Sequence, residues 1–191
     1  SFWGVQARRF TAGGTPAGAA FQVNTFTSSF QRLPAIASDP EGDFVVVWQS
    51  VGSAGNDNSE YSVQGQRYTS AGTATGGEFQ VNTYTSSFQS TAAIGAGGDG
   101  SFVVAWDSMG SGEGDNSETS VHAQRFSAAG VAQGSEFQVN VYSTNYQWLP
   151  AVAVDGEGDF VVVWQSMGAS SGDTAGYSLH AQRYSAAGTA L

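Results

Sequence analysis

The sequence predicts an all-β protein: a β-propeller built from 58-residue four-stranded blades, present as about three blades plus partial strands. Three observations predict it. Phe44-Val45-Val46-Val47-Trp48 returns as Phe102-Val103-Val104-Ala105-Trp106 and as Phe160-Val161-Val162-Val163-Trp164, each copy 58 residues after the last. Phe21-Gln22-Val23-Asn24 returns at 79–82 and 137–140 with the same spacing. Each apolar run is short, rich in β-branched residues and bounded by turn residues, which suits a strand buried on both faces better than a helix.

Each unit reads as four strands. Strand A covers 33–38 and leads through Asp39-Pro40-Glu41-Gly42 into strand B at 43–50. A glycine-rich acidic loop precedes strand C at 61–68, and the turn Thr69-Ser70-Ala71-Gly72 leads to strand D at 78–83. Four strands joined mostly by short loops and repeated every 40–60 residues or so fit a propeller blade; a β-sandwich would not require a fixed period. The chain then divides into a partial blade (1–32, strands C and D), two blades (33–90 and 91–148) and a second partial blade (149–191, strands A, B and C). Since propellers close with about four to eight blades, ring closure is expected to draw on another copy, most simply in a homodimer, or on further repeats of the same chain. The opening falls inside a repeat, as in a fragment or processed product.

Composition narrows the partners. Hydrophobic residues make up 40 % of the chain, enough for a packed core, and six arginines face sixteen Asp and Glu for a net charge of −10. That balance disfavours nucleic acid, which needs a basic surface. Cysteine is absent, which excludes disulfides and thiolate metal sites. No apolar stretch approaches the roughly 20 residues of a membrane-spanning helix.

In an up-and-down blade the A–B and C–D turns share one face, and the B–C and D–A loops share the other. The acidic loops carrying Asp57, Asp115 and Asp173 therefore lie beside D–A loops that carry Phe26 and Phe30, Tyr84 and Phe88, and Tyr142, Tyr146 and Trp148. Rings next to carboxylates and amides form a sugar platform: the ring covers the apolar face of a pyranose while polar groups meet its hydroxyls. Tyr142, Tyr146, Gln147, Trp148 and Asp173 are the candidate ligand-binding residues. The rings at 30, 88 and 146 could equally plug the gaps between blades. Trp148 stands apart, because its equivalents are Arg32 and Ser90 and the repeat does not require it.

Calcium is the cofactor the A–B turns suggest. Asp39, Glu41 and Asp43, and again Asp155, Glu157 and Asp159, alternate carboxylates that could wrap a cation. The middle copy, Gly97-Gly98-Asp99-Gly100-Ser101, keeps one of the three, and a tight turn capped by its first Asp explains the pattern as well. Arg9, Arg67, Arg125 and Arg183 recur in strand C, either as an anion-binding ring or as structural arginines on a carboxylate, carbonyl or ring. His122 and His180 match no metal or triad spacing. Without lysine, cysteine or a recognisable acid–base pair, the residues predict a protein that is not an enzyme.

The combination Phe79-Gln80-Val81-Asn82-Thr83, Pro34-Ala35-Ile36-Ala37, Gly42-Asp43-Phe44-Val45-Val46-Val47-Trp48 and Gln66-Arg67-Tyr68 resembles tandem repeats of large secreted or cell-surface bacterial proteins. The resemblance implies an extracellular β-propeller, often in an adhesin-like setting, and carries over no catalytic residue. Two functions follow as expectations: a carbohydrate-binding or adhesive, lectin-like module using the D–A loop face, or an assembly module that completes a ring by oligomerisation.

Overall fold

The computed structural model describes residues 3–52, 60–110, 118–168 and 176–191. Among the described residues there are thirteen strands and no helix. β1 (Gln6–Ala7) and β2 (Phe21–Gln22) pair as a two-stranded sheet. β3 (Gln31–Ser38), β4 (Phe44–Ser50), β5 (Ser62–Tyr68) and β6 (Ala74–Gln80) form an antiparallel meander, each strand beside its predecessor. β7 (Gln89–Ala96), β8 (Phe102–Met109), β9 (Thr119–Phe126) and β10 (Phe137–Gln138) repeat it, and β11 (Gln147–Val154), β12 (Phe160–Met167) and β13 (Tyr177–Tyr184) form three strands of the next sheet. These are the A, B, C and D strands read from the repeat. The strands at position A stand side by side on the inner edge, with β7 packed beside both β3 and β11.

The apolar runs bury both faces, as their composition requires. Val45, Val47, Val63 and Val81 pack on Ile94, Phe102, Val104, Trp106 and Phe126 of the next sheet. Val103, Ala105, Val121 and Val139 meet Phe160, Val162, Trp164 and Tyr184 in the same way. At the leading end Val5 and Val23 cover Phe44, Val46, Trp48 and Tyr68. Odd-numbered residues of one sheet therefore always meet even-numbered residues of the next. Each buried valine contributes about 1.5–3 kcal/mol before entropy is subtracted.

Strands A and D differ from the sequence reading at their ends. Strand A begins two residues early, at Gln31, and then shifts register between Arg32 and Ala35, with Leu33 at a φ of 51°. The same bulge recurs at Thr91 and Leu149. Strand D stops before its asparagine because the side chain replaces the ladder. Asn24, Asn82 and Asn140 each accept the N–H of Val5, Val63 or Val121 through Oδ1, at 2.8, 2.8 and 2.7 Å.

The same amides fold the D–A loops. Asn82 and Asn140 donate to the Tyr84 and Tyr142 carbonyls at 2.8 and 3.0 Å and to the side chains of Gln89 and Gln147, each at 3.2 Å. Gln89 and Gln147 in turn donate to the Ser86 and Thr144 carbonyls. Every one of these amides is buried, so leaving any unpaired would be costly.

Candidate functional site

The clamped D–A loops present their aromatic residues in a row. Trp3 meets Phe30 edge-on with ring centroids 6.4 Å apart, and Tyr61 stacks on Phe88 at 5.3 Å. Arg32 lies over the Tyr61 ring at 4.8 Å and donates its Nε–H to Gln49 at 2.6 Å. Trp148, the equivalent of Arg32, stacks on Tyr177 at 5.9 Å, packs against Tyr146 at 5.3 Å and donates its indole N–H to Gln165 at 3.1 Å. It is half-buried. The Tyr146 hydroxyl bonds to Glu118, and that bond, with the Glu118 charge, raises its pKa above the usual phenol value.

The other candidate residues have separate places. Gln147 is fully buried, and its amide is spent on Thr144 and Asn140, so it shapes the loop from beneath. Tyr142 lies against Gly168, where a Cβ would stand 3.1 Å from its hydroxyl, just as Tyr84 lies against Gly110. Asp173 lies outside the described residues, as do Asp57 and Asp115.

The acidic turns occupy the opposite face, and their carboxylates are engaged locally. Asp155 Oδ1 accepts the N–H groups of Glu157 and Asp159, each at 3.0 Å, and Asp159 Oδ1 accepts that of Ala186 at 2.7 Å. Asp39 accepts from Asp43, and Asp43 from Ser70. Glu41 is exposed beside them. Among the described residues no three His, Cys, Asp or Glu side chains are grouped to hold a metal ion. The strand C arginines reach from each sheet to the next C–D turn: Arg67 donates to the Ala128 carbonyl at 2.7 Å, Arg9 to Ala71 and Arg125 to Ala186. His122 and His180 stack on Trp106 and Trp164.

Asp107 was not among the residues singled out from the sequence. It replaces Gln49 and Gln165, and burial pushes its carboxyl above the usual carboxylate range, opposed by the Thr91 hydroxyl and the Leu149 and Asp107 backbone amides. Its Oδ1 is buried with no hydrogen-bond partner. Mismatch with its repeat equivalents was the signal that could have found it.

Sheets of this order, packed face to face around their A strands, define a β-propeller-type fold, and solved structures share it. An α-L-arabinofuranosidase from Lactobacillus brevis superposes with a TM-score of 0.53 at 13 % identity, over 92 % of this chain and 58 % of that one. A protein of unknown function from Dyadobacter fermentans gives 0.56 at 12 %, over 84 % and 53 %. A Hadza microbial sialidase gives 0.50 at 13 %, over 80 % and 35 %. The chain thus spans between about a third and three fifths of the lengths of these structures. No protein-family model and no curated protein sequence matches it.

These neighbours correct one expectation. The lack of a recognisable acid–base pair led the sequence reading to a protein that is not an enzyme. Two of the structures sharing its fold are named as glycoside-cleaving enzymes, so a missing local motif gives no ground for excluding catalysis. Side chains on separate strands can meet at a site without any sequence spacing that reveals it.

Proposed function

We propose that the chain recognises carbohydrate on its D–A loop face, with Trp148 as the central contact. The observation that carries this is the Tyr146–Trp148–Tyr177 cluster, which places a half-buried indole where the repeat needs no ring. A stacked indole presents a flat apolar face at low entropic cost, and Gln165 already holds its N–H. The carbohydrate-active names of two structural neighbours support the same ligand class. An extracellular or bacterial cell-surface setting fits the resemblance of the repeat. A glycan array should give binding that Trp148→Ala removes while the melting temperature stays within a few degrees of wild type. Unchanged binding by a folded Trp148→Ala protein would overturn the assignment.

A second reading, assembly with a second copy, rests on a different observation. In the last sheet Leu179 is 85 % exposed and Val163 40 %, whereas their equivalents Val121 and Ala105 are each 0 % exposed beneath the following sheet. The arginine contact is open at both ends too. Arg183 is exposed, and Gly14, equivalent to the Gly130 that lies under Arg67, has nothing within 4 Å. Another copy could cover these faces as each sheet covers its neighbour, in a two-fold dimer. Light scattering at low micromolar concentration should then give a dimer that Leu179→Asp dissociates, and a stable monomer of 19.7 kDa would overturn this reading.

A further inference from the structure

β13 is the fourth copy of strand C, and its outer edge differs from the other three. β1, β5 and β9 each carry a strand D there, whose asparagine accepts the N–H of Val5, Val63 or Val121. Leu179 is the equivalent of those valines. Among the described residues no strand pairs beyond β13 and no asparagine accepts the Leu179 N–H. A strand with an open ladder and an exposed apolar face is a template for another strand.

The two ends of the chain are incomplete in complementary ways. The trailing sheet has strands A, B and C; among the described residues the leading one has only C and D, as β1 and β2. Within the fold, Val45 and Val47 of one strand B cover Ile94 in the strand A of the next sheet, which is 9 % exposed. Ile36, the equivalent of Ile94, is 61 % exposed, because no strand B stands before it. Val161 and Val163 of β12 are the strand B residues that match Val45 and Val47. The leading sheet has no strand A or B to set against them. The sheet β3–β6 has both, with β1 lying across its strands B and C through Val5.

We propose that a second copy completes both ends by strand exchange: β13 of one copy takes the place of β1 in the other and pairs with its β2. β11 and β12 come with it and cover Ile36. β13 fits because it repeats β1, with Tyr177 for Trp3, Leu179 for Val5, Arg183 for Arg9 and Tyr184 for Phe10. Leu179 then meets Phe44, Val46 and Trp48, its N–H reaches Asn24, and Arg183 takes the Ala71 carbonyl that Arg9 holds. Tyr184 brings its stacked Phe160, whereas Phe10 lacks a strand B ring and is 58 % exposed. β1 is the strand that yields, since it is held to β2 over two residues and brings no further strands. Repeated about a two-fold axis, the exchange gives six four-stranded sheets, two from each copy and two shared, within the four to eight or so that close a propeller. This rests on the assembly reading and adds to it which strands meet and which one leaves.

The chain has no cysteine, so engineered disulfides report the pairing. Gln6 faces Gln22 in the β1–β2 ladder, and His180 is the equivalent of Gln6 in β13. Gln22→Cys with His180→Cys should oxidise to a disulfide between two chains. Gln6→Cys with Gln22→Cys should close within one chain and hold β1 in place, so that light scattering gives a dimer when reduced and a monomer when oxidised. Val5→Asp should tighten the dimer several-fold, because β1 is given up on exchange. A wild-type dimer that the Gln6–Gln22 lock leaves intact, or that Val5→Asp weakens, would overturn the exchange and leave assembly standing. A Gln22–His180 cysteine pair that closes within one chain also overturns the exchange. A wild-type monomer at low micromolar concentration overturns both.

Discussion

Arg67 leaves its own sheet to donate to the Ala128 carbonyl at 2.7 Å, and its guanidinium covers Gly130, which sits at a φ of +76°. A Cβ at Gly130 would stand 2.7 Å from Arg67 Nε, whereas Gly14, in the same turn and at the same φ, has nothing within 4 Å. Both glycines close that turn with the same backbone bond. Alanine at Gly14 should therefore cost only the left-handed strain, about 1–2 kcal/mol. At Gly130 it should cost at least about 1 kcal/mol more, because the charge-assisted bond is displaced as well. Urea unfolding of the two variants measures the difference, and equal losses would show that the inter-sheet bond adds nothing.

The asparagine clamp makes a sharper demand. Asn82→Ala removes the acceptor of a buried Val63 amide and two donors of the D–A loop. A loss of about 2–4 kcal/mol is expected. Asn82→Asp keeps the acceptor and should protect the Val63 amide better, which hydrogen exchange at that amide reports.

Asp107 should lower stability at neutral pH. Its folded pKa lies above the unfolded value, so the folded state favours the protonated carboxyl. The penalty is absent below the unfolded pKa of about 3.9, grows as pH rises and is complete above the folded pKa. Asp107→Asn should therefore melt higher than wild type at pH 7, and the two should converge near pH 3. A gap that does not change with pH would remove the electrostatic explanation.

Tyr184 behaves in the same sense at the alkaline end. Burial pushes its phenol up to about 12, against 10.0 for a free one, and its ring is 5 % exposed, stacked on Phe160. Unfolding frees it to ionise, so stability should fall by up to about 2–3 kcal/mol between pH 10 and 12. Tyr184→Phe should flatten that part of the pH–stability curve relative to wild type.

The acidic turns give a test in which metal should not matter. Asp155 holds two backbone amides, and Asp155→Ala should cost about 1–2 kcal/mol as other lost side-chain caps do. The cost should be the same with chelator and with millimolar calcium. A wild-type melting temperature that climbs with added calcium would instead assign the turn to a cation.

The period of 58 residues, the B strands and the A-B-C-D order were legible in the sequence because burial on both faces writes itself as an unbroken apolar run. So was the distinctness of Trp148, since a repeat exposes any residue that breaks it. The ends of strands were not legible. An asparagine that ends a strand by accepting its neighbour's N–H looks, in one dimension, like another strand residue, and the bulge at Leu33 leaves no apolar signature.

The sequence by itself determined the repeating unit, its strand order and the faces on which its loops emerge, because these follow from local patterning and chain connectivity. Only the tertiary structure decided which residues of that face share a site. Gln147, beside Trp148 in sequence, points into the loop's amide clamp, while Glu118, next to the start of a strand of the preceding sheet, bonds to the Tyr146 that packs against Trp148. Proximity there is set by packing one sheet on the next, at separations along the chain that no local pattern records. Whether a buried carboxylate finds a partner depends on that packing too: the repeat shows only that Asp107 departs from Gln49 and Gln165, and the fold shows that its Oδ1 is unpaired.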